Sequence, residues 1–192
     1  MSIKPSSTLQ RGISLIELIM FIVIISVALT GILLVMSIVT RSSADPLVHK
    51  QALAIAESLL EEVELMPFTY CDPDDPSAAT AASPASCTYP EGMGPETISG
   101  VTETRYGGAG VNTQFDNVND YNNFNMAAGA VTDITGGAAV AGYSANIAAA
   151  QTALGTVHNT ESLRITVTVT GPDNIPIVLD GYRTRYAPRG VP

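Results

Sequence analysis

One dense polar cluster stands out in this 192-residue chain: Asp116, Asn117, Asn119 and Asp120, set between Phe115 and Tyr121. Carboxylate and amide oxygens so closely spaced are hard donors of the kind calcium takes. The same residues also favour a pair of Asx turns between buried aromatics; turns are the expectation, with calcium the alternative. A second residue with chemistry to explain is Glu17, the one charge in residues 13–39, where 21 of 27 residues are apolar. A carboxylate near the end of such a run either reaches back to water or has a specific partner. Enzymatic chemistry finds little support. His49 and His158 are solitary, and no nucleophile–base set accompanies them. Residues 107–110, Gly-Gly-Ala-Gly, lack the lysine of a phosphate-binding loop.

The apolar run sets the organisation of the chain. It exceeds the roughly 20 residues a membrane-spanning helix needs and the roughly 15 of a cleaved secretory core. Lys4 and Arg11 precede it without any acidic residue; Arg41 follows it, but Asp45 is near and the remainder is acidic. Positive flanks stay in the cytoplasm, so the large C-terminal part is expected to be exported. The formal charge is −9, with 9 basic against 18 acidic side chains, which argues against nucleic acid as a partner. Cys71 and Cys87 are the only cysteines. In an exported domain, without a histidine or further cysteine nearby, they read as one disulfide worth about 3 kcal/mol of chain entropy.

Residues 11–19, Arg-Gly-Ile-Ser-Leu-Ile-Glu-Leu-Ile, resemble the processing site of the type IV pilin-like family, the prepilins and secretion pseudopilins. The resemblance implies a leader of residues 1–12, cleavage by a prepilin peptidase between Gly12 and Ile13, and N-methylation of Ile13, where the family usually has Phe. It makes Glu17 the fifth mature residue, which in the family pairs with the terminal amine of a neighbouring subunit. Glycine suits the cut because a protease can approach its carbonyl closely. Glu17 would then lie about 6 Å along the helix axis from the new amine. The stretch 115–121, with residues 54–62 and 67–75, is similar to MSHA-type minor pilins, the MshD-like group. The mature chain, residues 13–192, would carry 7 basic and 18 acidic side chains, a charge of −11.

Four segments should position these groups: the leader at 1–12, a transmembrane or filament-core helix at 13–40, its amphipathic continuation at 41–66, and an exported globular domain at 67–192. In the continuation, Val48, Ala52, Ile55, Leu59, Val63 and Met66 recur at spacings of three and four, the mark of a helix with one buried face. Glu57, Glu61, Glu62 and Glu64 fall largely off that stripe and read as a solvated face. Pro46 should kink or interrupt the helix, with Ser42, Ser43 and Asp45 as caps for a restart, and Pro67 should end it. Residues 13–66 would otherwise make a nearly continuous helix of about 80 Å. Residues 71–160 hold 11 glycines and only 20 residues that are apolar and larger than alanine, so loops should dominate, with a strand near 143–150. Residues 163–170 alternate strictly between apolar and polar, and a turn at 171–174 leads to a returning strand, with Pro176 at an irregular start or edge. This hairpin should cover the helical stripe.

The expected fold class is therefore α+β, a long N-terminal helix on a small antiparallel sheet with a long irregular region. The resemblance implies the pilin-like "lollipop" plan and a structural, non-enzymatic subunit of a type IV pilus-like filament. Its expected partners are the prepilin peptidase, other pilins through their N-terminal helices, the inner membrane and the pilus assembly platform. No cofactor is expected beyond the calcium alternative. A pseudopilin of a type II secretion pseudopilus and a permanently anchored periplasmic binding module are the other readings.

Overall fold

The computed structural model describes Gly12, residues 14–108 and residues 113–186, without the side chains of residues 40–45. The leader residues 1–11, Ile13 and the side chains of the expected caps Ser42, Ser43 and Asp45 lie outside the described residues. The fold is α+β. A helix, α1 (Leu15–Leu65), is followed by a two-stranded hairpin, β1 (Thr97–Ile98) and β2 (Val101–Thr102). A four-stranded antiparallel sheet comes next, made of β3 (Phe124–Met126), β4 (Ser144–Gln151), β5 (Ser162–Thr170) and β6 (Pro176–Thr184) in the order β3-β4-β5-β6.

The chain divides into two compact units at Asp45/Pro46. The interruption expected at Pro46 does not occur, and α1 carries this proline inside it. Proline removes one backbone donor, but the bonds of its neighbours can carry a helix past it. The helix ends where expected: the Met66 N–H turns back to the Val63 carbonyl at 3.1 Å, just before Pro67.

In the second unit, residues 46–65 of α1 lie on the sheet. Ala52, Ala56, Leu59 and Val63 form one cluster with Ile147 of β4 and with Leu163, Ile165, Val167 and Val169 of β5. The alternation expected in residues 163–170 is realised in full. All four apolar residues have no exposed surface, and Val167 pairs with both Ile147 and Leu179. The returning strand begins at Pro176 on the edge of the sheet, a position that needs no proline N–H. Gly181 of β6 lets the helix approach closely, since a Cβ there would sit 2.8 Å from Leu60 Cδ1 and closer still to the Glu64 carboxylate. The strand expected near residues 143–150 is β4, entered through Gly142 at φ 81°. Between α1 and β3 the chain is mostly turns, as the composition requires.

One expectation about the helix fails. Glu62 is not on a solvated face. It forms a two-pronged ion pair with Arg105, whose Nε donates to Oε1 at 2.7 Å and whose Nη2 donates to Oε2 at 2.5 Å. Tyr121 adds a hydroxyl donor to Oε1 at 2.8 Å. Periodicity places Glu62 beside the apolar stripe, and only a partner 43 residues away shows that it is taken.

Truncating the centre of the β5 face should be costly, whereas the outer face of β6 should tolerate change. Ile165→Ala is expected to lose about 2–5 kcal/mol, while Val178→Ala, more than half exposed, should change stability by less than about 0.5 kcal/mol. Equilibrium denaturation of the two variants would expose a misplaced core if the costs came out equal.

Candidate functional site

Two places in the molecule carry chemistry. The first is the N-terminal unit. Glu17 lies in the first turn of α1, and every described side chain from Gly12 to Val39 is exposed. Leu15–Val39 is long and apolar enough to cross a membrane. Its polar side chains are compatible with that: the Ser26 hydroxyl donates to the Ile22 carbonyl and the Thr30 hydroxyl to the Ser26 carbonyl, both at 2.7 Å. Hydroxyls bonded back onto their own helix need no outside partner in a hydrocarbon environment.

The second place is built from three pairs of acidic residues, each set by a different local device. The Cys71–Cys87 disulfide, with Cα atoms 5.4 Å apart, fastens two extended segments. Beside it the Asp72 N–H reaches the Tyr89 carbonyl and the Glu91 N–H the Tyr70 carbonyl, each at 3.1 Å. These bonds set Asp72 and Glu91 side by side. The β1–β2 hairpin does the same for Glu96 and Glu103, whose backbones meet at its open end at 3.0 Å. Of the third pair, Asp116 lies just before and Asp120 within a 3-10 turn at Val118–Tyr121. That turn is pinned by the Val118 N–H on the Pro67 carbonyl at 3.1 Å, and by Asn117 Nδ2 on Thr69 Oγ1 at 2.7 Å. Asn119 Nδ2 fixes it a third time, on the Gly92 carbonyl at 2.6 Å.

The three pairs converge. One carboxylate oxygen from each of Asp72, Glu91 and Glu96 lies within 4.8 Å of the other two; so do those of Asp72, Glu103 and Asp116, and those of Glu96, Glu103 and Asp120. Asp72, Glu103 and Asp120 are buried, and Glu91, Glu96 and Asp116 are partly covered. Both oxygens of Glu103 and of Glu91, Asp72 Oδ2, Glu96 Oε2, Asp116 Oδ1 and Asp120 Oδ1 receive no N–H or hydroxyl donor among the described residues, and Asp72 meets Glu103, and Glu96 meets Asp120, carboxyl to carboxyl. Removal from water, reinforced by neighbouring negative charge, raises the pKa of each member. Asp116 is pushed up to about 7 by burial and by Asp72, Asp74 and Glu96. Glu103 is pushed up to about 8 by burial and by Asp72, Asp116 and Glu96. Burial carries Asp120 to about 9 despite the N–H of Asn117 that it accepts, and Glu91 to about 11, with Asp120 and Glu96 adding to it. Asp75, nearby, takes no part because its oxygens accept the N–H groups of Ser77 and Tyr89. Arg185 registers the charge of Glu91 but lies 4.0 Å above the Phe68 ring and 3.7 Å from Glu161.

Of the four residues singled out in the sequence, Asp116 and Asp120 enter this cluster. Asn117 does not: it is fully buried and its amide is turned to Thr69. Asn119 spends its amide nitrogen on Gly92, and its Oδ1 is buried without a partner. The segment does turn between buried aromatics, but not through the expected pair of Asx turns: Asp120 Oδ2 reaches back to accept the N–H groups of Asp116 and Asn117 at 3.0 and 2.8 Å, capping the 3-10 turn, and Phe115 and Tyr121 are buried on either side. Asp72, Glu91, Glu96 and Glu103 were missed. The available signal was charge imbalance: Arg105 is the only lysine or arginine between Lys50 and Arg164. The two histidines stand apart, His49 with its Nε2 3.5 Å from Asp173 and His158 capping the 3-10 turn at Asn159–Glu161. No family model, curated protein or solved structure matches the chain.

The raised carboxyls fix the sign of a pH effect. Each holds its proton to higher pH when folded than when unfolded, so the stability they contribute is present in acid and is lost as the pH rises through 7, 8 and 9. With divalent cations chelated, the melting temperature is expected to fall by several degrees between about pH 5 and pH 8. Ordinary salt-bridged carboxylates would give a rise, and calorimetry across that range distinguishes the two.

Proposed function

We propose that the chain is a structural, non-enzymatic subunit of a type IV pilus-like filament, a minor pilin of the MSHA type. In this reading it is cut after Gly12 by a membrane peptidase, methylated at Ile13, held in the inner membrane by its N-terminal helix with the C-terminal part outside, and then built into the filament. The observation that carries the reading is a conjunction at one end of the molecule. Gly12 is followed by Glu17 as the fifth residue beyond the cut, on the first turn of a helix whose apolar side chains are all exposed from Leu15 to Val39. So large an apolar surface needs lipid or other helices around it. Among packed helices of neighbouring subunits, a carboxylate at Glu17 and a freed terminal amine attract strongly, and leaving either unpaired is costly. Glu17 therefore selects the register at which a new subunit enters. The α+β fold, with its C-terminal sheet lying on the end of the same helix, supports the assignment.

Mass spectrometry of the exported protein decides the first part: a chain beginning at Ile13 is expected, and an intact Met1 terminus in cells that hold the peptidase would overturn the reading. Gly12→Val should block the cut. Glu17→Ala should be cleaved but recovered in sheared filaments at about one tenth or less of the normal amount, as suits loss of a paired charge in an apolar site; undiminished recovery would remove the registry role.

A further inference from the structure

We propose that Asp72, Glu91, Glu96, Glu103, Asp116 and Asp120 form a calcium-binding centre that locks the segment between α1 and β3 into its fold. The inference does not rest on the reading of Gly12 and Glu17. It starts from proximity, the three overlapping groups of carboxylate oxygens within 4.8 Å of one another. A cluster of acids on a surface can be held apart by water, but this one includes Glu103, only 3% exposed, with no N–H or hydroxyl donor for either oxygen among the described residues. Glu103 belongs to two of the three groups, so its carboxylate lies within 4.8 Å of oxygens from Asp72 and Asp116 and from Glu96 and Asp120. A buried carboxylate left without a donor is expensive, and burying several against one another multiplies the cost. A cation removes both terms.

Among the described residues no lysine or arginine is ion-paired to these carboxylates, although Arg185 feels the charge of Glu91. Arg105, two residues beyond Glu103, is committed to Glu62, and Arg185 to Glu161 and the rings of Phe68 and Tyr70. The donors in all three groups are oxygens, with no histidine or cysteine among the described residues that form them. Oxygen donors select a hard cation over zinc or copper. Calcium fits better than magnesium. It accepts six to eight oxygens in irregular geometry, whereas magnesium demands a near-ideal octahedron and keeps several waters. The six carboxylates come from three separately built turns and carry more charge than one ion neutralises. Asp72, Glu96 and Glu103 each belong to two groups, so they can bridge a second ion. The buried oxygen of Asn119 lies on the same turn as Asp116 and Asp120. Asp116 and Asp74 also line an open depression, which gives an ion a way in.

The test uses the full chain in detergent, stripped of metal with EGTA at about pH 7.5. Titration calorimetry with calcium chloride should show saturable binding of one or two ions per chain. The melting temperature should rise by about 5 °C or more once calcium exceeds its Kd by about a hundredfold, with a smaller rise in magnesium. An unchanged melting temperature together with no saturable heat would overturn the proposal, as would a larger rise in magnesium. The double variant Glu103→Gln, Asp116→Asn places the ion. It should lose the calcium-dependent rise while melting in EGTA no lower than the parent chain, because neither position any longer has to hold a buried charge or a displaced proton. A variant that keeps the full calcium response would overturn the assignment to these residues. Should it fail to fold, the calorimetry and melting of the unaltered chain still decide.

Discussion

The ion pair between Glu62 and Arg105 fastens the irregular half of the second unit to its regular half. A long segment with few large apolar side chains cannot hold itself in place by burial. Arg105 is carried into that segment and is itself only 1% exposed, so it has to meet a fixed acceptor set. The helix supplies it in Glu62, and Thr132 supplies a carbonyl to the remaining nitrogen at 3.0 Å. A buried pair of this kind is not a large net source of stability, because removing both ions from water is costly. Its effect is positional. It decides which loop lies on which turn of the helix, and through Tyr121 it ties the 3-10 turn to the same carboxylate.

That commitment has an electrostatic consequence nearby. With Arg105 taken by the helix, the acidic residues contributed by the disulfide-linked segment, the hairpin and the 3-10 turn meet with no lysine or arginine ion-paired to them among the described residues. Each turn is well made on its own terms, with its backbone hydrogen bonds closed. The strain lies between them, in carboxylates that face each other across a small space. The disulfide and the hydrogen bonds hold the backbone against that repulsion, and the same bonds hold the oxygens convergent.

The regular parts of the fold were legible because they repeat. Strict alternation through residues 163–170 marks a strand with one buried face, and the threes and fours from Val48 to Met66 mark the helix that covers it. Pro176 reads correctly as a strand start on an edge. The acidic cluster has no period. Asp72, Glu91, Glu96 and Glu103 are brought together by bonds such as those from the Asp72 and Glu91 N–H groups, whose partners follow from no local pattern. Glu62 shows the opposite failure: the pattern was read properly, but a charged residue beside an apolar stripe looks the same whether water or a buried arginine receives it. Of the kink or interruption expected at Pro46, the interruption is absent, because one missing donor is a local loss that the surrounding helical bonds can absorb.

The two margins of the four-stranded sheet are different in kind, and neither invites another strand. On one side β3 is three residues long, too short to template an added partner. On the other, β6 opens with a proline that has no N–H to offer and carries Asp180 and Arg183 along its length. Short, proline-bearing and charged margins are the usual defences against sheets joining edge to edge. Pairing of this sheet edge to edge with another chain, the route taken by amyloid and by donated-strand fibres, is thereby disfavoured.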